Sequence, residues 1–386
     1  RLRPERLRRD KPWRYYSCDN HPKAKKRKLV ESSSKTTKRK RVGKEAKMDL
    51  YCGMDLHGDN VFCTVMDSEY RPVFEKRLPN DMKAILNELA PYQERMAAVA
   101  VESTYNWYWL VDGLRAKEYP VKLANPARMQ ENIGLKSAND KTDSRFIAKQ
   151  LAMGVLPEGY IYPKEDRPVR DLLRRRMRLV HMRTGEWLSL EGLVARHSGK
   201  DLGITALNGL EEGELSALLG NDPMVLASAQ ICFRHIAFLN SEIKQIEKAA
   251  EGRVKLVANY ERLLNVPGIG RILTMTIMLE TGPIQRFPGP GNYASYSRVV
   301  KAEHTSNDRK KGAGNSKCGN KYLAWAYVEA ANFAVRYSPE LRAWYQRKAA
   351  KTKRVIALKA LANKLAKACF FILRDGVEFN VKKLVG

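Results

Sequence analysis

At 386 residues and 44% hydrophobic content, the chain is long enough for two or three domains with their own cores. Its formal net charge of +28 predicts a polyanionic partner; nucleic acid is favoured over a membrane, because no apolar run is long enough to span a bilayer. The six cysteines contain no Cys-x-x-Cys pair, which argues against a zinc site or a disulfide framework and favours a reducing cytoplasm.

Residues 1–47 form a strongly basic segment. They hold nineteen lysines and arginines against five acids, which gives the segment a formal charge of +14. Low apolar content and the lack of periodicity predict a disordered basic extension. Because Met48 directly precedes the first predicted strand, we expect the natural chain to start there, with residues 1–47 lying upstream of it.

Residues 48–157 are expected to form an α/β catalytic domain. Apolar patterns predict helices near 81–94, 105–117 and 143–153, and strands at 49–55, 60–66, 71–77, 97–102 and 120–124. Three consecutive strands followed by strand–helix–strand units predict a mixed five-stranded sheet with helices on its faces. This is the outline of a ribonuclease-H-like, or RuvC-like, fold, although other α/β folds share it.

Residues 158–255 are expected to form a helical coiled-coil segment with a first helix at 165–198. A second helix follows Pro223 and repeats apolar residues at alternating spacings of three and four, at Ala229, Cys232, Ile236, Leu239, Ile243, Ile246 and Ala250. This seam fits an intramolecular helical hairpin and a dimerising coiled coil equally well. Candidate contacts to a nucleic-acid backbone on the first helix are Arg174, Arg175, Arg176 and Arg178.

Residues 256–386 are expected to form a mostly helical C-terminal domain, with helices at about 321–336, 339–350 and 353–374. The stretch Leu263-Leu-Asn-Val-Pro-Gly-Ile-Gly270 resembles the turn of helix-hairpin-helix modules, although a short structural turn has the same letters. Its Gly268 and Gly270 are candidates for offering backbone N–H groups to a DNA phosphate.

The interval from Lys301 to Asn320 is polar, glycine-rich and basic, so it is predicted to be an exposed loop. Its Lys310 and Lys311 are further candidate contacts to nucleic acid. Basic residues also recur along the last two predicted helices, where they are expected to add to the positive surface.

Four acids stand in positions that could be brought together. Asp55 ends the first predicted strand and Glu102 ends the apolar strand at 97–102. Asp140 and Asp143 are three residues apart at the start of a predicted helix, which places both on one helix face. Hydrolysis or transfer of a phosphodiester needs charge neutralisation at the attacking and leaving oxygens. Two Mg²⁺ (or Mn²⁺) ions bound by carboxylates can supply it.

At these acids the sequence resembles the DEDD-type transposases of insertion sequence family 110, also called bridge-RNA-guided recombinases, over about residues 48–386. Gly53-Met-Asp55 is similar to the first acid motif of that family, and Val101-Glu-Ser-Thr104 to the second. Asp140-Lys-Thr-Asp143-Ser-Arg-Phe-Ile-Ala148 is similar to the third and fourth acids and the helix after them. The helical insert and the turn at 266–270 also stand where that family has them.

The resemblance implies a nucleophilic serine in a loop between a tyrosine-rich helix and a Gly-Asn pair. Ser306 matches, since Ala294-Ser-Tyr-Ser297 precedes it and Cys318-Gly-Asn320 follows it. Read alone, Ser306 is an ordinary loop hydroxyl, and Thr305 and Ser316 are near enough to be alternatives. A serine hydroxyl is a weak nucleophile, so the four-acid site would supply the activating metal if the two domains meet, within or across subunits.

The resemblance implies a transposase or site-specific recombinase that forms a phosphoserine link to DNA and exchanges the strands of a mobile element. It further implies a structured guide RNA, a homo-oligomer (dimer or tetramer), and a bacterial cytoplasm with nucleoid association. A RuvC-like, metal-dependent Holliday-junction endonuclease would need the acids but not Ser306, and a non-catalytic nucleic-acid-binding protein would need no metal. A sugar-kinase-like ATPase would need a glycine-rich phosphate loop after Asp55, where only Gly58 is present.

Overall fold

The computed structural model describes residues 49–129, 139–254, 258–301, 304–306, 309–312 and 318–385. These residues cluster into two compact units that divide between Ile161 and Tyr162. The predicted disorder of residues 1–47 lies outside the described residues, and the predicted boundary near residue 256 stays a prediction.

The first unit is built on a mixed sheet, as predicted for a ribonuclease-H-like fold. Its strands are β1 (Leu50–Leu56), β2 (Asn60–Asp67), β3 (Pro72–Pro79), β4 (Met96–Glu102), β5 (Val121–Ala124) and β6 (Glu158–Gly159). Their order across the sheet is β3-β2-β1-β4-β5-β6, with β1, β4 and β5 parallel to one another and β2, β3 and β6 antiparallel to their neighbours. The sixth strand was not predicted, because two residues are too few to show an alternating pattern.

The helices of this unit cover both faces of the sheet. They are α1 (Met82–Leu89), α2 (Tyr108–Arg115) and α3 (Asp140–Ala152). Apolar side chains of α1 and α2 pack on one face and those of α3 on the other. The helix predicted at 81–94 ends at Leu89 and continues as a 3₁₀ turn over Ala90–Arg95, since Pro91 has no N–H for an α-helical hydrogen bond.

Helix α3 begins three residues before the start predicted at residue 143. Asn139 accepts a hydrogen bond from the Thr142 backbone N–H at 3.0 Å, and the Thr142 hydroxyl accepts one from the Asn139 N–H at 2.9 Å. This reciprocal capping box fixes Asp140 as the first helical residue.

The second unit contains a long antiparallel helical hairpin made by α4 (Arg167–Ser198) and α7 (Pro223–Val254), with the short α5 (Ile204–Leu207) and α6 (Leu215–Leu219) between them. The predicted seam residues of α7 pack against α4, in clusters that include Trp187, Leu179 and Leu173. Within the described residues the seam is therefore packed inside one chain, as the helical-hairpin alternative predicts.

The remaining helices form the C-terminal core. They are α8 (Tyr260–Leu264), α9 (Arg271–Thr281), α10 (Pro290–Tyr296), α11 (Lys321–Tyr337), α12 (Pro339–Lys351), α13 (Arg354–Asp375) and α14 (Val381–Val385). The interval predicted as a loop contains a two-stranded ladder, β7 (His304–Ser306) and β8 (Arg309–Gly312). None of the helices in the described ranges is long and apolar enough to cross a membrane.

Candidate active site

Helix α3 lies unusually close to the centre of the sheet. A Cβ atom added to Gly53 would stand 2.3 Å from the Ser144 carbonyl oxygen and 2.4 Å from the Ala148 nitrogen. The Ser144 hydroxyl also lies 2.7 Å from the Thr64 hydroxyl on β2. Only glycine allows this close approach, so residue 53 sets the distance between α3 and the sheet.

Two of the predicted acids are adjacent on the face covered by α3. Side chains alternate along a strand, so Asp55 points to the same face as Gly53. The parallel register of β1 and β4 pairs Met54 with Val101, which places Asp55 and Glu102 side by side one residue further on. Asp55 is 4% exposed, and Glu102 is partly buried at the end of its strand.

The first residue of α3 completes a close group with this strand. The Nε2 atom of His57 lies 3.3 Å from Oδ2 of Asp55 and 3.2 Å from Oδ1 of Asp140. One potential ligand atom from each of these three residues lies within 4.8 Å of the others. The structure therefore brings together residues that are 85 positions apart in the chain.

Glu102 and Asp143 do not belong to that group within the described residues. Glu102 remains next to Asp55 by strand register, and Asp143 lies one helical turn after Asp140, partly exposed. All four predicted acids thus belong to one face of the sheet and the helix packed on it. Two of them, Asp55 and Asp140, converge with His57.

The sequence prediction missed His57. His57 comes directly after the last residue of β1, Leu56, so the alternation of the strand does not by itself set the direction of its side chain. Its significance depends on Asp140, and the distance between β1 and α3 in the fold could not be read from the sequence.

A cationic side chain lies beside the cluster and forms an ion pair with Asp140. The Arg77 guanidinium, on β3, is 2.6 Å from Oδ2 of Asp140. Burial acts to raise the pKa of Asp140, but the Arg77 hydrogen bond and the proximity of His57 and Arg77 outweigh it and leave the pKa below its usual value. Asp140 is therefore an anion at neutral pH.

The first turn of α3 is also tied to β3 through Glu75. Arg145 makes a bidentate hydrogen bond to this carboxylate, and Lys141 lies 3.0 Å from it. The Arg145 hydrogen bond is the main reason that the pKa of Glu75 is below its usual value. These contacts hold the start of α3, and with it Asp140, over the ends of the central strands.

The donor set suits a divalent cation. Carboxylate oxygens and an imidazole nitrogen are ordinary metal ligands. Two ligand atoms that each lie about 2.1 Å from one metal ion are about 3.0–3.4 Å apart, when the ligand–metal–ligand angle lies between a right angle and the tetrahedral angle. The observed separations of 3.2 and 3.3 Å fall in that interval. Asp55, His57 and Asp140 could therefore hold one metal ion.

Ser306 belongs to the second unit, at the end of β7, where it pairs with Arg309 across the ladder. We call residues 297–319 the serine loop. The loop is closed at its base by a hydrogen bond of 2.6 Å from the Asn320 N–H to the Tyr296 carbonyl. Gly319 makes this closure possible, because its φ is +88° and a Cβ there would stand 2.5 Å from the Tyr296 oxygen.

Asn320 connects the serine loop to a buried carboxylate. Its side-chain oxygen caps α11, and its Nδ2 donates to Glu280 Oε2 at 2.7 Å. Glu280 is 2% exposed and also accepts hydrogen bonds from Arg170 and Arg174 of α4. Burial acts to raise the pKa of Glu280, but the Arg174 hydrogen bond and the two arginine charges leave it below its usual value.

The four arginines predicted to bind nucleic acid fall into two classes. Arg174 pairs with Glu280, and Arg176 pairs with Glu247 of α7 at 2.7 Å. Arg175 and Arg178 are exposed on α4. The two paired arginines have a structural role within the fold, while the exposed ones are open to a partner.

The two candidate glycines also differ. Gly268 has a φ of +88°, and a Cβ there would stand 2.1 Å from the Ala330 carbonyl oxygen of α11, so packing alone accounts for this glycine. Gly270 precedes α9, and a Cβ there would meet no atom within 4 Å. Lys310 and Lys311 lie on β8.

The sequence matches two family models. A model of the DEDD transposases of IS110, described as "Transposase", matches residues 52–197, which include the Asp55, His57 and Asp140 group. A model described as "Transposase IS116/IS110/IS902 family" matches residues 260–346, which include the serine loop. Together the two matches span more than half of the chain.

Three curated relatives are similar to this chain. The transposase for insertion sequence element IS1111A of Coxiella burnetii is 21% identical over 239 residues, which are 60% of this chain and 63% of the relative. The transposase for insertion sequence element IS1328 of Yersinia enterocolitica is 23% identical over 151 residues, 38% of this chain and 45% of the relative. A probable family 20 transposase of Pseudomonas aeruginosa is 23% identical over 288 residues, 71% of this chain and 83% of the relative.

The chain thus spans less than two thirds of the length of the first two relatives. Both family matches nevertheless name the same group, and they fall on the two parts of the chain that carry the acids and the serine loop. The chain belongs to the IS110 family of DEDD transposases.

Proposed function

We propose that this chain is a transposase that cleaves DNA strands of a mobile element and exchanges them with a target. The convergence of Asp55 and Asp140 beside His57, in a member of this family, is the observation that carries the proposal. A phosphodiester is the substrate class that best explains carboxylates gathered at a sheet edge in a chain with a net charge of +28.

Asp55 and Asp140 would hold a divalent ion, for which we propose Mg²⁺ or Mn²⁺, with Glu102 and Asp143 completing the acidic set. When bound, such ions neutralise the charge that develops on the attacking and leaving oxygens of a phosphodiester. The pKa of Asp140 lies below its usual value, so its carboxylate is ionised at neutral pH and can act as a metal ligand. The contacts that Glu75 makes with Lys141 and Arg145 hold the first turn of α3, and so keep the Asp140 carboxylate in place.

We further propose that Ser306 is the nucleophile. Its hydroxyl would lose a proton and attack phosphorus, forming a serine–phosphate ester while the deoxyribose oxygen leaves and takes up a proton. The hydroxyl of another DNA strand would then attack the same phosphorus, which joins the phosphate to that strand and releases the serine hydroxyl. Because one ester replaces another, the cut ends stay attached without an external energy source.

DNA binding would use exposed cations, for which Arg175, Arg178, Lys310 and Lys311 are our candidates, together with the helix start at Gly270. A structured guide RNA and a homo-oligomer are part of the same proposal. Both come from the resemblance to family members, and the positive charge of the chain suits either nucleic acid.

Strand exchange on a donor–target DNA pair tests the catalytic proposal. Asp143→Ala and Ser306→Ala should each abolish exchange while DNA binding persists, and wild-type protein should form a covalent protein–DNA adduct that Ser306→Ala does not. Full exchange by the serine variant would rule out the covalent step, and activity in the presence of a chelator would rule out the metal.

Mixing the two inactive variants tests whether the residues act from different subunits. If one subunit supplies the acids and another the serine, a mixture of Asp143→Ala and Ser306→Ala regains part of the activity. The guide is tested separately by sequencing the nucleic acid that co-purifies with the chain. A discrete structured RNA would support guidance, and random fragments would count against it.

A further inference from the structure

We infer that His57 is itself a metal ligand, so that this chain holds its divalent ion through a ring nitrogen as well as through carboxylate oxygens. The inference rests on the proposed function, because it concerns the same metal site. It adds a donor of a different chemical kind to the acidic set, and it therefore changes which metals the site should prefer.

The first support is the position of the ring. His57 Nε2 lies 3.2 Å from Asp140 and 3.3 Å from Asp55, so it is nearly equidistant from two carboxylates on different elements. A histidine that forms a simple ion pair needs one such partner. His235 is an example in this chain, with its Nδ1 3.1 Å from Glu186 on the neighbouring helix.

The second support is the direction of that nitrogen. Nε2 is buried, yet neither carboxylate oxygen is placed for a hydrogen bond of ordinary geometry. A hydrogen-bond partner of Nε2 would lie along the direction of its lone pair. When a metal ion occupies that direction, its other ligands lie to the side, at separations from Nε2 like those seen here. A buried polar atom without a hydrogen bond is costly, and a shared cation would satisfy it.

The surroundings support the same reading. His57 directly follows β1, two residues after Asp55, and its backbone is held there because its N–H donates to the Asn60 carbonyl at 2.8 Å and its carbonyl accepts from the Asn80 side chain at 3.1 Å. Asp140 is held from its other side by Arg77, which leaves its Oδ1 directed at His57. The cluster is thus two anions and one imidazole, a donor set with enough negative charge for a divalent ion.

An imidazole donor alters metal selectivity. Mg²⁺ favours oxygen ligands, whereas Mn²⁺ and later first-row metals accept nitrogen more readily. We therefore expect the site to prefer Mn²⁺ over Mg²⁺, and we expect His57→Ala to reduce that preference by about tenfold or more, as measured by competition between the two ions.

The decisive experiment is electron spin-echo envelope modulation of Mn²⁺ bound to the full chain. A directly bound imidazole gives ¹⁴N modulation, and growth on ¹⁵N-histidine should shift its frequencies. The modulation from histidine nitrogen should disappear in both His57→Ala and His57→Gln, the second of which keeps a polar side chain that reaches about as far as Nε2. His235→Ala is the matched control, since it removes a histidine paired with a carboxylate elsewhere, and should leave the signal unchanged.

The outcomes separate this inference from the proposed function. Mn²⁺ that binds without ¹⁴N modulation, or modulation that persists in His57→Ala, would overturn the role of His57 and leave the acidic site standing. Failure of Mn²⁺ to bind the wild-type chain would overturn the metal site and the inference with it. Circular dichroism of each variant confirms that the fold is retained.

Discussion

Gly53 on β1 and Ser144 on α3 are in backbone contact, since a Cβ on the glycine would stand 2.3 Å from the Ser144 carbonyl oxygen. This contact brings the first turn of α3 down to the strand ends where Asp55 lies. The metal cluster therefore depends on a residue that carries no functional group.

Replacing Gly53 with alanine should push α3 away from the sheet. We expect a loss of about 1–3 kcal/mol in the free energy of unfolding, because the clash is with backbone that has no room to move. Gly185→Ala is the matched control, since this glycine is exposed within α4 and has no neighbouring atom within 4 Å. It should stabilise the chain by about 0.5–1 kcal/mol. Urea unfolding measures both, and equal effects would contradict the packing argument.

Metal binding should stabilise the folded chain. A ligand at 100 times its Kd adds about 2.7 kcal/mol to the free energy of unfolding if it binds only the folded state. We expect Mn²⁺ to produce a shift of this size in the wild-type chain and none in Asp55→Asn. Asp59→Asn removes an exposed carboxylate in the adjacent turn and should keep the shift. Thermal unfolding with and without chelator provides the measurement.

Glu280→Gln should be strongly destabilising. It leaves the buried Arg170 and the partly buried Arg174 without their carboxylate, and breaking a buried ion pair in this way costs about 3–5 kcal/mol. Glu247→Gln removes the more exposed carboxylate that pairs with Arg176 of α4, and it should lower the free energy of unfolding by about 1 kcal/mol or less. Comparable losses in the two variants, measured by chemical unfolding, would contradict the assigned role of Glu280.

The contribution of Glu280 should depend on pH with a defined sign. Its folded pKa lies below its unfolded value, so the stabilisation is complete above the unfolded pKa of about 4.3 and is lost as pH falls through the folded pKa. The difference in unfolding free energy between wild type and Glu280→Gln should therefore be constant near neutrality and shrink in acid. A difference that grows on acidification would reverse the assignment.

Gly268 and Gly270 should respond differently to alanine. Gly268→Ala forces a left-handed backbone and a clash with α11, so we expect a loss of more than about 2 kcal/mol. The methyl group that Gly270→Ala adds would meet no atom within 4 Å, so this variant should change the free energy of unfolding by about 1 kcal/mol or less. Denaturant unfolding of the pair measures the contrast, and a near-neutral Gly268→Ala would contradict the packing role.

The sheet and the seam of α7 could be predicted because their signals are local. The apolar run that ends at Glu102 and the three-to-four spacing of α7 each lie within a single element. Strand order then follows from the short connections, which place Asp55 and Glu102 next to each other. This was enough to find two acids of the site and to expect the other two nearby.

Pairings between distant elements could not be predicted in the same way. Arg174 and Glu280 are 106 residues apart, and nothing in the local sequence of α4 distinguishes Arg174 from the exposed Arg175. The role of His57 could not be predicted for a related reason, since it depends on how closely α3 approaches β1. Charge patterning gives the number of cations on a helix, but the tertiary fold decides which of them remain free.

The closure between Tyr296 and Asn320 decides which changes of length this chain can accept between these two residues. The chain leaves the helical core near Tyr296 and Val299 and returns to it at Asn320, and the hydrogen bond from Asn320 to Tyr296 sets where α11 starts. The entropy of closing an excursion grows only slowly with its length. Changes of length between Val299, which packs in the core, and Gly319 should therefore be accommodated without refolding the helices, as long as Ser306 is kept.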